Sequence, residues 1–284
     1  MKSVKRRFAA LGVVALMASG SLASVAQPVS AASTDLGNQN TMAVAWYQTS
    51  AEAKALYLQG YNDARENLDQ SLTQQSSKPR AIILDIDETV LDNSPYQAYN
   101  ALHNKSFPTG WNDWVKAAKA KPVPGAKDFL NYANQKGIEI YYVSDRSVDQ
   151  LKPTIKNLKN EGLPQADDQH VLLKSKSDKT KEARRQKVEA NHNVIMLFGD
   201  NLSDFNDPKQ STVKGRYNDV MKNASQFGTK YIILPNPMYG GWEGALYNNN
   251  YNQSKDKLSK ARKAHLTYFN PQTNKVQNTT ITEK

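Results

Sequence analysis

Five short, unbroken apolar runs recur along the middle of the chain: Ala81–Ile86, Ile138–Val143, His170–Leu173, Val194–Phe198 and Tyr231–Leu234. Continuous apolarity, in place of alternation, is the pattern of parallel strands covered on both faces. The stretches between them, such as Ala126–Gln135, Val148–Leu158 and Lys179–Ala190, have helical length and composition. Strand and helix in alternation predict an α/β fold built on a doubly wound parallel sheet. Ahead of it, Ala53, Leu56, Tyr57, Tyr61, Ala64 and Leu68 recur at helical spacing, after Thr49 and Glu52 at capping-box distance. This helix, inside a segment 46–78 that ends at Ser76-Ser77-Lys78-Pro79, is read as a brace on the core.

The interval from Asp92 to Gly137 is too long for a plain connection between the first two strands. It carries Tyr96, Tyr99, Phe107, Trp111 and Trp114 before the break at Pro122-Val123-Pro124-Gly125. These predict a smaller, mainly helical cap inserted at about 93–121 and packed with the N-terminal helix. The core then runs over 79–252, the polar stretch 32–45 is expected to be a loose leader, and a basic polar tail fills 253–284.

Composition changes this picture in three places. The start, Met-Lys-Ser-Val-Lys-Arg-Arg, an apolar stretch from Phe8 to about Ala18, and Val29-Ser30-Ala31 predict a signal peptide over residues 1–31. The stretch is shorter than the roughly 20 residues a membrane span needs. The Arg6-Arg7 pair admits twin-arginine export beside general secretion. The absence of cysteine excludes disulfides, so an exported fold is held by packing or metal. Without Lys2, Lys5, Arg6 and Arg7 the chain keeps 33 basic against 27 acidic residues, a balance of +6. That balance suits anionic substrates, an anionic cell surface or plain solubility.

The chemistry gathers at strand ends, where ligands bind in open parallel sheets. The first run leads into Asp85-Ile86-Asp87-Glu88-Thr89-Val90-Leu91-Asp92, two carboxylates two residues apart. Carboxylates form covalent phosphoryl intermediates, so Asp85 qualifies as a nucleophile and Asp87 as an acid and base; helix capping is the plainer alternative. The fourth run ends in Gly199-Asp200-Asn201-Leu202-Ser203-Asp204-Phe205, a second acidic cluster suited to a hard cation. The second ends in Ser144-Asp145-Arg146, a hydroxyl beside a helix start. Lys181 opens the basic run Lys181-Glu182-Ala183-Arg184-Arg185, which by itself reads as solvent-facing.

In this order the four motifs resemble those of the haloacid-dehalogenase superfamily of phosphohydrolases. More narrowly, Asp85 to Tyr96, Gly199 to Phe205, and Pro235-Asn236-Pro237-Met238-Tyr239-Gly240-Gly241-Trp242-Glu243 are similar to class C bacterial acid phosphatases of the 5'-nucleotidase type, many of them surface lipoproteins. The likeness spans roughly Ala45 to Tyr247. It implies that Asp85 is the nucleophile, Asp87 the general acid and base, and Ser144 and Lys181 the phosphate holders, with Lys179 the alternative to Lys181. It implies Mg²⁺ as cofactor, held by the Asp85 carboxylate, the Asp87 main-chain carbonyl and Asp200, with Asp204 in support. Many relatives carry Asn where this chain has Asp145, which puts another negative charge near the phosphate unless Arg146 offsets it. The lipobox cysteine is also missing, so the resemblance implies a released or charge-held protein without a stable membrane anchor. Relatives are often dimeric, which makes a homodimer an expectation.

The function expected is hydrolysis of small phosphomonoesters, including nucleoside 5'-monophosphates, and not of nucleic-acid polymers. Tyr239, with the cap aromatics, is expected to offer a platform to an aromatic leaving group. A phosphotransferase of the same fold and a noncatalytic surface protein that binds nucleotides or host molecules are the competing readings.

Overall fold

The five apolar runs become five parallel strands. In the computed structural model, which describes residues 36–209 and 211–279, these are β1 (Arg80–Leu84), β4 (Glu139–Ser147), β5 (Val171–Lys174), β6 (Asn193–Gly199) and β7 (Tyr231–Ile233). They form one sheet in the order β5-β4-β1-β6-β7, every neighbouring pair parallel. The helices are α1 (Leu36–Gln39), α2 (Thr41–Thr49), α3 (Ala51–Leu72), α4 (Ser94–Leu102), α5 (Trp111–Ala117), α6 (Ala126–Gln135), α7 (Leu151–Asn160), α8 (Glu182–Glu189), α9 (Val213–Lys222), α10 (Gly241–Leu246) and α11 (Lys255–Ala264). The insert is framed by an antiparallel pair, β2 (Leu91–Asp92) and β3 (Lys121–Pro122), and carries α4 and α5.

Side chains along each strand divide between two layers. Ile82, Leu84, Ile140, Tyr142, Met196 and Phe198 join a core with Tyr57, Tyr61 and Leu68 of α3 and Phe129 and Leu130 of α6. Ala81, Ile83, Val143 and Leu197 face the other way, against Val188 of α8 and Phe205. Both faces are therefore buried, which is why the runs are apolar without interruption. At the centre, Phe198 packs on Tyr61 and Phe129 with ring centroids 5.9 and 5.3 Å apart.

Two expectations are corrected. The stretch 32–45 is not a loose leader where it is described, because α1 and α2 occupy it and bury Val44 and Tyr47. Its polar composition hid one apolar face, and helices are stabilised mainly by burying such a face. Tyr47 meets Tyr57 of α3 edge to face, their hydroxyls 2.7 Å apart. The cap of α3 is Ser50, whose Oγ accepts from the Ala53 N–H at 3.0 Å. Thr49 instead closes α2, its hydroxyl donating to the Ala45 carbonyl. The basic tail is also structured: α11 is followed by a hairpin of β8 (Thr267–Asn270) and β9 (Lys275–Asn278). Arg262 ties α11 down by donating to Glu243 (2.6 Å), the Tyr247 hydroxyl (2.7 Å) and Gln39 (2.9 Å). The signal peptide expected over 1–31 lies outside the described residues. Among the described residues no helix is long and apolar enough to cross a membrane.

One corner of the sheet pairs a histidine with two carboxylates. His170, before β5, has Nδ1 at 2.7 Å from Asp167 and Nε2 at 3.0 Å from Glu139, with the Tyr141 ring beside it. Burial opposes its protonation, but the two carboxylates outweigh this and raise its pKa. The stability this contributes is full below the unfolded pKa of about 6.5 and is lost as pH rises through the higher folded value. His170→Gln should therefore cost most in urea unfolding at about pH 5.5 and least at about pH 8.5; an equal cost at both would remove the ion pairs from this account.

Candidate active site

The sheet delivers its acids to one edge because β4, β1 and β6 are neighbours and parallel, so their carboxyl ends coincide. Asp85 follows β1, its N–H donating to the Phe198 carbonyl at 3.0 Å. Asp200 follows β6, and the short turn Leu202–Asp204 folds Asp204 back over it. Asp204 Oδ2 accepts the Asn201 N–H at 2.9 Å, which holds that turn. Gly199 is required here by close approach, since a Cβ would lie 2.2 Å from both Cβ and Oδ2 of Asp204. One carboxylate oxygen from each of Asp85, Asp200 and Asp204 then falls within 4.8 Å of the others.

Lys181 enters this cluster from the start of α8. It is buried and donates to Asp85 Oδ1 and, at 2.6 Å, to Asp204 Oδ1. Lys179 is exposed, so the lysine at the acids is Lys181. The basic run is not the solvent-facing helix its composition suggested: Arg184 and Arg185 are buried too, Arg185 donating to the Ser203 carbonyl at 2.6 Å. Burial opposes the charge of Lys181, but Asp204 and Asp85 hold its pKa above the ordinary value. Burial raises the pKa of Asp85 well above the carboxylate range despite Lys181. Burial, then Asp204, raises that of Asp200 to about 7. Three carboxylates thus share one ammonium. An oxygen-only, under-neutralised set of this kind fits a hard divalent cation. Both oxygens of Asp204 are already engaged, by Lys181 and the Asn201 N–H, so it supports the site through those contacts. Asp200 is steadied by Asn236, which donates to its Oδ2 at 2.8 Å.

Asp87 is turned toward a different set of partners. Arg146 donates to its Oδ1 from Nη2 at 2.7 Å and from Nε at 3.0 Å, and Asn93 Nδ2 donates to the same oxygen at 2.7 Å. Ser144 Oγ lies 3.4 Å from its Oδ2, so the serine is within reach of both motif loops. The cap closes this network: Trp114 Nε1 donates to Asn93 Oδ1 at 2.7 Å, and the Trp111 ring lies 5.5 Å from the Arg146 guanidinium. Arg146 therefore does not offset Asp145. Arg184 does, at 2.9 Å, with Lys174 at 3.9 Å. Asn93, Glu88 and Asn236 were missed as candidates, although all three stand inside the motifs quoted above, and the contacts of Arg146 and Trp114 with this network were not foreseen.

Tyr239 is half-buried, and its hydroxyl donates to Glu88 Oε2, which fixes its ring next to the loop after β1. A cavity of about 340 Å³ between α3 and β7, lined by Leu56, Gly60, Ile232 and Leu234 among others, contains none of these acids.

Comparison with known proteins points to one family. The family model for the HAD superfamily, subfamily IIIB (Acid phosphatase), matches residues 9–242. The solved class C acid phosphatase from Bacillus anthracis is 48% identical, with a TM-score of 0.81, covering 83% of this chain and 100% of its own. Its structure with tungstate bound gives a TM-score of 0.82 at the same identity and coverage. Among curated relatives, a stem 28 kDa glycoprotein of Glycine max is 28% identical over 166 residues, 55% of this chain and 58% of its own length. A class B acid phosphatase of Aggregatibacter actinomycetemcomitans is 27% identical over 197 residues, 62% of this chain and 76% of its own.

Proposed function

Because this chain belongs to the HAD superfamily, subfamily IIIB (Acid phosphatase), we propose that it hydrolyses small phosphomonoesters through a phosphorylated Asp85, with Mg²⁺ as cofactor. The observation that carries this reading is the convergence of Asp85, Asp200, Asp204 and Lys181 at the carboxyl ends of adjacent parallel strands.

A phosphomonoester repels a carboxylate nucleophile, so its charge must be neutralised and its orientation set before attack. Lys181 holds one oxygen of Asp85, leaving the other for in-line attack on phosphorus. Asp87, held by Arg146 and Asn93, donates a proton to the leaving oxygen. It then takes one from the water that releases phosphate from Asp85. Ser144, whose Oγ lies 3.4 Å from Asp87 Oδ2, hydrogen-bonds the phosphoryl group in this mechanism. When bound by Asp85, Asp200 and the Asp87 carbonyl, the cation supplies charge neutralisation at the phosphoryl oxygens. The tungstate-bound relative supports a seat for a tetrahedral oxyanion. Tyr239, anchored through Glu88, supports an aromatic leaving group such as a nucleoside, and release from the cell after loss of residues 1–31 completes the proposal.

The test is phosphate release from p-nitrophenyl phosphate before and after exhaustive chelation. Activity should fall to background with EDTA and return with added magnesium, and Asp200→Asn should require more magnesium for half-maximal activity. Undiminished turnover after chelation would remove the metal; no turnover under either condition would favour the noncatalytic binder.

A further inference from the structure

Glu88 occupies a backbone position that suits glycine. Its φ is +56°, a left-handed conformation that residues with a Cβ rarely adopt. It is also fully buried, 0% exposed, between the nucleophile loop and the loop after β7. Strained, buried, non-glycine residues persist when their surroundings hold them at several points, and they gather where function needs a fixed geometry. Glu88 is held at four. Oε1 accepts the Asn93 N–H at 2.7 Å, and Oε2 accepts the Tyr239 hydroxyl. Its carbonyl accepts the Tyr57 hydroxyl at 2.5 Å, and its N–H donates to the Leu91 carbonyl at 2.9 Å.

We propose that Glu88 is a positioning residue, whose carboxylate locks the loop after β1 to the loop after β7 and, through Asn93, aims Asp87. The relay is short. Glu88 holds the backbone of Asn93, the Asn93 amide donates to Asp87 Oδ1 at 2.7 Å, and Trp114 holds the other end of that amide. Without the carboxylate, the Asn93 N–H loses its acceptor and the amide loses its fixed base. Arg146 then still holds Asp87, but from one side only. Proton transfer is sensitive to this, because donor and acceptor must meet within about 2.6–3.2 Å. The nucleophile, held separately by Lys181, is not aimed by Glu88.

This inference rests on the phosphatase reading and on Asp87 as its proton donor, and the test separates the two. Glu88→Gly removes the carboxylate and at the same time relieves the backbone. Turnover of an alkyl phosphomonoester, whose leaving group needs a proton, should fall by about tenfold or more. Turnover of p-nitrophenyl phosphate, whose leaving group does not, should fall much less, with little change in KM for either. Glu88→Gln keeps an acceptor for Asn93 and should restore most of the ratio between the two esters. Tyr239→Phe, which removes one hydrogen bond and keeps the ring, should shift the ratio in the same direction by less, and it decides the matter if Glu88→Gly does not fold. Equal losses on both esters, or a ratio that does not move, would overturn the positioning role while leaving the phosphatase intact. An unaltered protein that hydrolysed neither ester would overturn both.

Discussion

Asp85→Asn is expected to stop phosphoryl transfer, by about 10⁴-fold or more, the scale on which enzymes lose rate when their nucleophile is removed. The substitution keeps the shape of the side chain and an acceptor for Lys181, and it removes one of three crowded carboxylates, so the fold should survive. Asp87→Asn should behave differently. In the proposed mechanism it retains the nucleophile and loses the proton donor and base, each a contribution of about 10²–10⁴-fold. With p-nitrophenyl phosphate the first step is partly rescued while the second still lacks its base, so phosphorylated protein should accumulate. Rapid acid quench followed by intact mass reads this as one added phosphoryl group. An adduct on Asp85→Asn, or one mapped to Asp87 by peptide analysis, would reverse the two assignments. Melting temperatures belong beside these rates, because Asp87 is also the partner of the buried Arg146.

Lys181→Met should be strongly destabilising. The side chains of Lys181, Asp85 and Asp204 are 6%, 9% and 3% exposed, so the variant leaves two carboxylates buried beside Asp200 without their ammonium. Breaking a buried ion pair by removing one partner costs about 3–5 kcal/mol. Denaturant unfolding with a chelator present measures it. Adding Asp204→Asn to Lys181→Met removes one stranded charge and should recover part of the loss, as contacting pairs are not additive. A double variant as unstable as the sum of the two single changes would mean that the pair does not interact as the geometry requires. Turnover should fall as well, because the oxygen of Asp85 that Lys181 holds would be free to rotate.

The five strands, their parallel arrangement and the helical insert were all legible along the chain, because burial on both sheet faces imposes unbroken apolar runs and a long interval marks an insertion. Asp85, Asp87, Ser144, Lys181, Asp200 and Asp204 were also legible as candidates, since chemistry at strand ends is confined to a few residue types. What the tertiary structure alone decided is direction and partnership. Asn93 and Arg146 lie 53 positions apart and share Asp87 only because β1 and β4 are neighbours in the sheet. Glu88 and Tyr239 are separated by 151 positions. The choice of Lys181 over Lys179, the burial of Arg184 and Arg185, and the helices hidden in a polar leader follow from which face meets the core. Local composition records what a residue is able to do. Which other residue it does it with depends on loops brought together by strand order, and no periodicity along a single chain encodes that distance.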